Sequence, residues 1–281
     1  MLRSFFIAIA ALLLVVSGAT AGTLDRIKDT GVMKIGYRTD APPFSYKNSA
    51  GELAGYTVAL CQGVAAHIEK QLKLKKLSLE YVPVTAENRF KMIEDGKADL
   101  LCGATTATLS RREIVDFSLP TFVDGASILM RKGGPQTFGD LEGRKIGVRA
   151  GTTTEDALRN TVKDLSMTVQ TVAVKDHKDG VAKLLSNDIS AYFADRAILV
   201  YLTVGSGAAD KLFLSNQQLT YEPYALGLPK GDGDFRLAVD RALSRIYRSG
   251  GIGTLFKETF GANAQPTAEL KALYRISALP N

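Results

Sequence analysis

Two short runs along the chain share one pattern of apolar and polar positions. Lys34-Ile35-Gly36-Tyr37-Arg38 predicts a strand that ends in the turn-prone stretch TDAPPFSY, and Lys145-Ile146-Gly147-Val148-Arg149 repeats it ahead of Gly151 and three threonines. Each run is followed by a second unit. ENRFKMIEDGKADLLCGATT predicts a helix ending near Gly96, a strand from Asp99 and a small polar loop. DGVAKLLSNDISAYFADRA predicts a helix ending near Asn187, a strand from Ile189 and another polar loop. Between the units of the first copy, Leu60, Val64, Ile68 and Leu72 recur every four residues, the stripe of a helix buried on one side. In the C-terminal third, Tyr224 to Pro229 predicts a strand, Phe235 to Tyr247 an amphipathic helix with Leu237, Leu243, Ile246 and Tyr247 toward the core, and Leu255 to Phe260 a short helix after Gly250-Gly251.

Alternating strands and helices predict an α/β architecture with mainly parallel sheets flanked by helices. Ligands of such sheets bind beyond the carboxyl ends of the strands, where both copies carry polar loops. Two similar lobes facing each other would enclose a cleft.

The first 21 residues read as an export signal. Arg3 supplies the positive end, Phe5 to Val16 is an apolar run of 12, and Ala19-Thr20-Ala21 is a small-x-small cleavage site. A membrane helix needs roughly 20 apolar residues. The expected product is a soluble protein beginning at residue 22 and located in the periplasm. In that oxidising compartment the two cysteines, Cys61 and Cys102, are either a disulfide or two buried thiols.

Composition removes several classes. Of the 281 residues, 46% are hydrophobic and 23% charged, an ordinary globular balance. The net charge of +6 comes without a basic tract interleaved with aromatics, so no nucleic-acid partner is expected. Two histidines and two cysteines are too few for a multi-histidine metal site or an Fe–S cluster, and no cofactor is expected. No GxSxG, HExxH, Walker or GxGxxG pattern occurs, which favours binding over catalysis.

The candidate binding residues lie in the polar loops. Arg38, Arg89 and Arg111 offer guanidinium forks that match a carboxylate, and Arg111 follows the small loop Gly103-Ala104-Thr105-Thr106. Thr152, Thr153 and Thr154 precede Glu155 at a helix start, where they either cap the helix or join its N–H groups in holding an anion. His177 is placed in a loop. Asp195 follows its strand directly, facing either an ammonium group or its neighbour Arg196.

Taken together, PPFSY with GELAGYTVAL (42–60), GKADLLCGATTATLSRREIVDFSLP (96–120), DLEGRKIGVRAGTTTE (140–155) and YALGLPKGD (224–232) resemble the bacterial periplasmic solute-binding proteins of polar amino acids. These are the soluble receptors of ABC importers. GYR at 36–38, NR at 88–89, CGATT at 102–106 and KDH at 175–177 are similar to the glutamate/aspartate branch. The resemblance implies a monomeric, non-enzymatic, two-lobed protein that closes over an acidic amino acid and delivers it to a membrane permease. Lobe 1 would comprise 22–117 and 225–281, lobe 2 would comprise 122–221, and the crossings would fall near 117–121 and 217–224. Arg111 and Thr106, with Thr152 or Thr153, would hold the α-carboxylate and Asp195 the α-ammonium. Arg38, Arg89 and His177 would face the side-chain carboxylate. Three arginines and one aspartate would leave about two positive charges for a ligand of charge −1.

Ala86 and Ala104 stand where that branch usually carries serine, and Ala59 where it carries aspartate. Another polar amino acid or a dicarboxylate is therefore the alternative cargo. A dehydratase on the same fold, acting on prephenate-like acids, is a more distant one.

Overall fold

The computed structural model describes residues 22–280, so the export-signal reading of residues 1–21 lies outside the described residues. The first half of the chain runs α1 (Thr23–Thr30), β1 (Val32–Arg38), β2 (Asp40–Ala41), β3 (Ser45–Lys47), β4 (Leu53–Ala54), α2 (Tyr56–Gln71), β5 (Ser78–Val84), α3 (Arg89–Glu94), β6 (Leu100–Cys102), α4 (Leu109–Arg112) and β7 (Asp116–Asp124). It continues with β8 (Ala126–Arg131), β9 (Lys145–Arg149), α5 (Thr153–Asp164), β10 (Gln170–Val174), α6 (His177–Leu185), β11 (Ala191–Asp195), α7 (Arg196–Gly205) and β12 (Leu212–Leu214). The last elements are β13 (Glu222–Leu228), α8 (Gly233–Arg248), α9 (Gly251–Phe260) and α10 (Ala268–Ile276).

Two five-stranded sheets define two lobes. The first has the order β5-β1-β6-β13-β7 and the second β10-β9-β11-β8-β12. In each, three strands run parallel, and the remaining two extend that core by antiparallel pairing. The two pentapeptides of the sequence repeat are β1 and β9, second in the order of their sheets. Their shared glycine is a packing requirement. A Cβ on Gly36 would stand 2.9 Å from Leu101 Cδ2, and one on Gly147 would stand 2.5 Å from Ile189 Cδ1. Both contacts are shorter than any relaxed carbon–carbon approach, so the strand lies close under its neighbours only with hydrogen at that position.

The helix stripe read from the sequence is the buried side of α2, with Leu60, Val64 and Ile68 fully enclosed. Phe44 of the PPFSY run is also inaccessible, at the centre of an aromatic cluster with Phe122 at 4.9 Å and Tyr224 at 5.1 Å. That motif serves the core. In α8 the core face is Phe235, Ala238, Val239, Ala242, Leu243 and Tyr247. Leu237, expected inside, is 47% exposed because it points away from that stripe.

Cys61 on α2 and Cys102 at the end of β6 form a disulfide with a Cα–Cα distance of 6.2 Å. It pins α2 to the sheet immediately before the polar loop 103–106. Closing a loop of 41 residues removes conformations chiefly from the unfolded chain. The double variant Cys61→Ala/Cys102→Ala should lose about 2–4 kcal/mol in reversible denaturant unfolding.

Candidate ligand cleft between the lobes

The carboxyl ends of the parallel strands in the two sheets face one narrow cavity, and all eight candidate residues line it. The first lobe supplies Arg38 from the end of β1, Arg89 from the start of α3, Thr106 and Arg111. The second supplies Thr152 and Thr153 at the start of α5, His177 at the start of α6 and Asp195 at the end of β11. Ala104 and Ile198 complete the wall. Ala86 lies behind it, 2% exposed, with its carbonyl accepting a hydrogen bond from Arg89 Nη1.

Each arginine is held by the backbone or by an acid. Arg89 is 2% exposed, and its Nη2 reaches the Gly151 carbonyl of the opposite lobe at 3.4 Å. Arg111 donates from Nη1 to the Thr106 carbonyl at 2.9 Å. Phe90, which the sequence reading passed over, lies against both guanidiniums, 4.6 Å from Arg89 and 5.2 Å from Arg111, so its ring face stabilises two neighbouring cations. Arg38 donates from Nε to Asp40 at 2.7 Å. The other oxygen of Asp40 accepts from Arg149 Nε at 3.4 Å, and Arg149 also pairs with Glu87, its Nη2 standing 3.2 Å from Oε2.

These acids change the charge of the cleft. Burial alone would raise the Asp40 pKa, but the charge and hydrogen bond of Arg38, with His177 and Arg149, bring it down to about 2. Asp40 and the buried Glu222 thus join Asp195 against the three arginines, and the excess of two positive charges expected from the sequence disappears. His177 adds none. Burial first, then the charge of Arg38, lowers its pKa to about 3, and its Nδ1 is hydrogen-bonded to the Tyr192 hydroxyl at 2.7 Å. It is a neutral ring, and it opens α6 rather than lying in a loop, with Asp176 capping that helix.

The threonine hydroxyls are engaged within the protein. Thr152 caps α5, accepting from the Glu155 N–H at 3.2 Å and donating to the Arg149 carbonyl at 2.7 Å. Thr106 and Thr153 both donate to Glu222. What these residues still offer an anion is the Arg111 fork and the first backbone N–H groups of α5, which have no partner within the helix.

Asp195 does not pair with its neighbour, because Arg196 donates to the Ser215 carbonyl at 2.6 Å. Asp195 is 9% exposed and its Oδ1 has no partner. Burial and the charge of Glu222 raise its pKa to about 7, against the pull of Tyr224, Arg38 and Arg111. Arg38 Nη2 and Arg89 Nε are also buried without partners. The cleft therefore presents unsatisfied donors on two cations and an unsatisfied acceptor on a carboxylate.

Asp40, Phe90, Glu222 and Arg149 are the residues that sequence reasoning missed. The repeat carried a clue for one of them: Arg149 ends the second pentapeptide as Arg38 ends the first.

The family model for bacterial extracellular solute-binding proteins, family 3, matches residues 33–262. An L-glutamate/L-aspartate-binding protein of Pseudomonas aeruginosa is 32% identical over 88% of this chain and 82% of its own length. A glutamate/aspartate import solute-binding protein of Salmonella typhimurium is 29% identical over 92% and 88%. Among solved structures, the ancestral amino acid-binding protein AncCDT-1, described as a precursor of cyclohexadienyl dehydratase, superposes with a TM-score of 0.74 at 25% identity over 85% of this chain and 99% of its own. Two like lobes with a polar cleft between them and a family match over most of the chain agree, and this protein belongs to family 3 of the bacterial extracellular solute-binding proteins.

Proposed function

We propose that the protein is the periplasmic receptor of an amino-acid ABC importer and that its cargo is glutamate or aspartate. The observation that carries this reading is the set of buried, unpartnered polar atoms around one cavity: Arg38 Nη2 and Arg89 Nε as donors, Asp195 Oδ1 as acceptor. A buried polar group left unpaired costs about 1–3 kcal/mol, and an acidic α-amino acid carries the complement of all three. Asp195 takes the α-ammonium. Arg111 and the N–H groups at the start of α5 take the α-carboxylate, with the threonine hydroxyls in a supporting role. Arg38, Arg89 and the neutral His177 face the side chain. The names of the relatives in Pseudomonas aeruginosa and Salmonella typhimurium support the same cargo.

The rest of the proposal extends the sequence reading. The chain is exported with cleavage after Ala21, acts as a monomer, and returns its cargo unchanged to a membrane permease. The lobes, 22–117 with 225–281 and 122–221, close about crossings on β7 and β13. A second cargo has one observation in its favour. Asp40 and Glu222 balance the arginines, and Ala86 and Ala104 offer no hydroxyls, a setting that also suits a neutral polar amino acid.

Calorimetric titration of the mature protein with the twenty amino acids tests the reading. Glutamate or aspartate should bind, and be recovered intact; binding of glutamine or another neutral amino acid in their place would establish the second cargo. Arg111→Ala should weaken every α-amino acid by about 10- to 100-fold, the worth of a bidentate charged contact. Arg89→Ala should weaken acidic cargo selectively. Unchanged binding in Arg111→Ala would remove the α-carboxylate assignment.

Asp195 gives a pH signature of two opposite signs. An ammonium selects the ionised carboxylate, so affinity should fall by up to about tenfold per pH unit below 7, where this group takes up its proton. The folded pKa lies above the unfolded value of 3.8, so the same group lowers the stability of the cargo-free fold as pH rises from about 4 to about 7. Asp195→Asn should remove the affinity slope and flatten the stability slope, as read by calorimetry and by denaturant unfolding between pH 4 and 8. What remains of the stability slope is the share of the buried Asp124, whose pKa burial and the charge of Asp195 also raise.

A further inference from the structure

Glu222 lies on β13 where that strand passes beneath the cleft, and it is 5% exposed. One of its carboxylate oxygens, Oε2, accepts from Thr106 Oγ1 at 2.5 Å and from Thr153 Oγ1 at 2.6 Å. The first threonine belongs to one lobe and the second to the other. Its second oxygen accepts from Thr220 Oγ1 at 2.8 Å. A hydroxyl has a single hydrogen to donate, so the two threonines at the anion end of the cleft give theirs to an acid of the protein itself. The charge of Glu222 also acts on Arg111, the cation at that end, and on Asp195.

We propose that Glu222 is an internal counter-anion of the cleft: it bridges the two lobes through Thr106 and Thr153 and competes with the cargo's α-carboxylate for the donors at that end. It is a positioning residue, and the inference rests on the reading of the cargo as an α-amino acid. Two consequences follow. The bridge favours the closed arrangement of the lobes before cargo enters. Its charge, set in a low-dielectric cleft beside an arriving carboxylate, weakens the hold on that carboxylate by like-charge repulsion, so that cargo is released as well as bound.

The test compares L-glutamate with L-isoglutamine, in which a carboxamide replaces the α-carboxylate, by calorimetry on wild-type protein, Glu222→Gln and Glu222→Asp. In Glu222→Gln the ratio of glutamate to isoglutamine affinity should rise about tenfold, since only the charged group feels the missing repulsion while loss of the bridge acts on both ligands alike. Glu222→Asp keeps the charge and should show no such rise. An unchanged ratio in Glu222→Gln, or an equal rise in Glu222→Asp, would overturn the counter-anion. If wild-type protein binds neither compound, the acidic amino-acid reading falls, and the bridge is tested on the cargo-free proteins by small-angle scattering. Glu222→Gln should then have the larger radius of gyration, and an unchanged radius would overturn the bridge.

Discussion

A single carboxylate, Asp40, stands between two arginines that occupy equivalent places in the repeated half of the fold. Arg38 ends β1 and Arg149 ends β9, and each directs its Nε to a different oxygen of Asp40. One pair lies within the first lobe and the other crosses between the lobes. Asp40 therefore ties the end of β1 to the end of β9 through one side chain. The Nη2 of the Arg38 guanidinium it holds is left buried without a partner. Glu87 takes the rest of the Arg149 fork, which keeps that arginine on the crossing and out of the cavity wall.

The same arrangement explains why the cleft can gather so many cations. Arg38, Arg89 and Arg111 are each shielded by something that costs little conformational entropy: an acid two residues away in sequence, a backbone carbonyl, or the face of Phe90. None is neutralised across its whole fork. Burial, and after it the charges of Arg111 and Arg38, holds Arg89 below its usual pKa. Incomplete compensation is what leaves binding free energy available to an anion, because the penalty of the unpaired donors is present before the ligand arrives.

Much of this was legible in the sequence. The repeated pentapeptide marked the two equivalent strands, the four-residue apolar recurrence marked α2, and the eight candidate residues chosen at or near the strand ends all line the cavity. The pairings within the cleft were not legible, because they join residues distant in sequence. Glu222 lies 116 residues from Thr106 and 69 from Thr153, and nothing in its own neighbourhood distinguishes it from a surface acid. The charge count failed for that reason at Glu222, and at Asp40 because a neighbour two residues from Arg38 was passed over. Counting arginines against the one acid at a strand end omitted both. His177, placed in a loop by the sequence, opens α6, where packing against Tyr192 buries it and removes its charge. Leu237 shows the converse, an apolar residue that the register of α8 turns outward.

The hydroxyls of three tyrosines constrain where the proposed closure can bend the chain. Tyr56 of α2 donates to the Thr121 carbonyl at 3.0 Å and meets Tyr274 of α10 at 2.5 Å, while Tyr247 of α8 donates to the Pro120 carbonyl at 2.9 Å. Two helices of the first lobe thus hold β7 at Pro120 and Thr121, and Tyr274 braces Tyr56 from a third. Bending there would strip buried carbonyls of their partners, at a cost of about 1–3 kcal/mol each. Beyond Thr121 the strand loses these anchors, and at Gly125 it passes so close to Thr220 that a Cβ would stand 1.8 Å from the carbonyl oxygen. On β13 the ladder with β7 shifts register at Tyr224/Ala225. Phe122 and Tyr224 are held in the aromatic cluster around Phe44, so the compliant part of the connection on this view is 123–125 on one strand and 220–223 on the other. Glu222 sits inside that segment, so rotation of one lobe against the other would change its distance from Thr106 and Thr153 first. A carboxylate placed there links hinge angle directly to the hydroxyls at the anion end of the cleft.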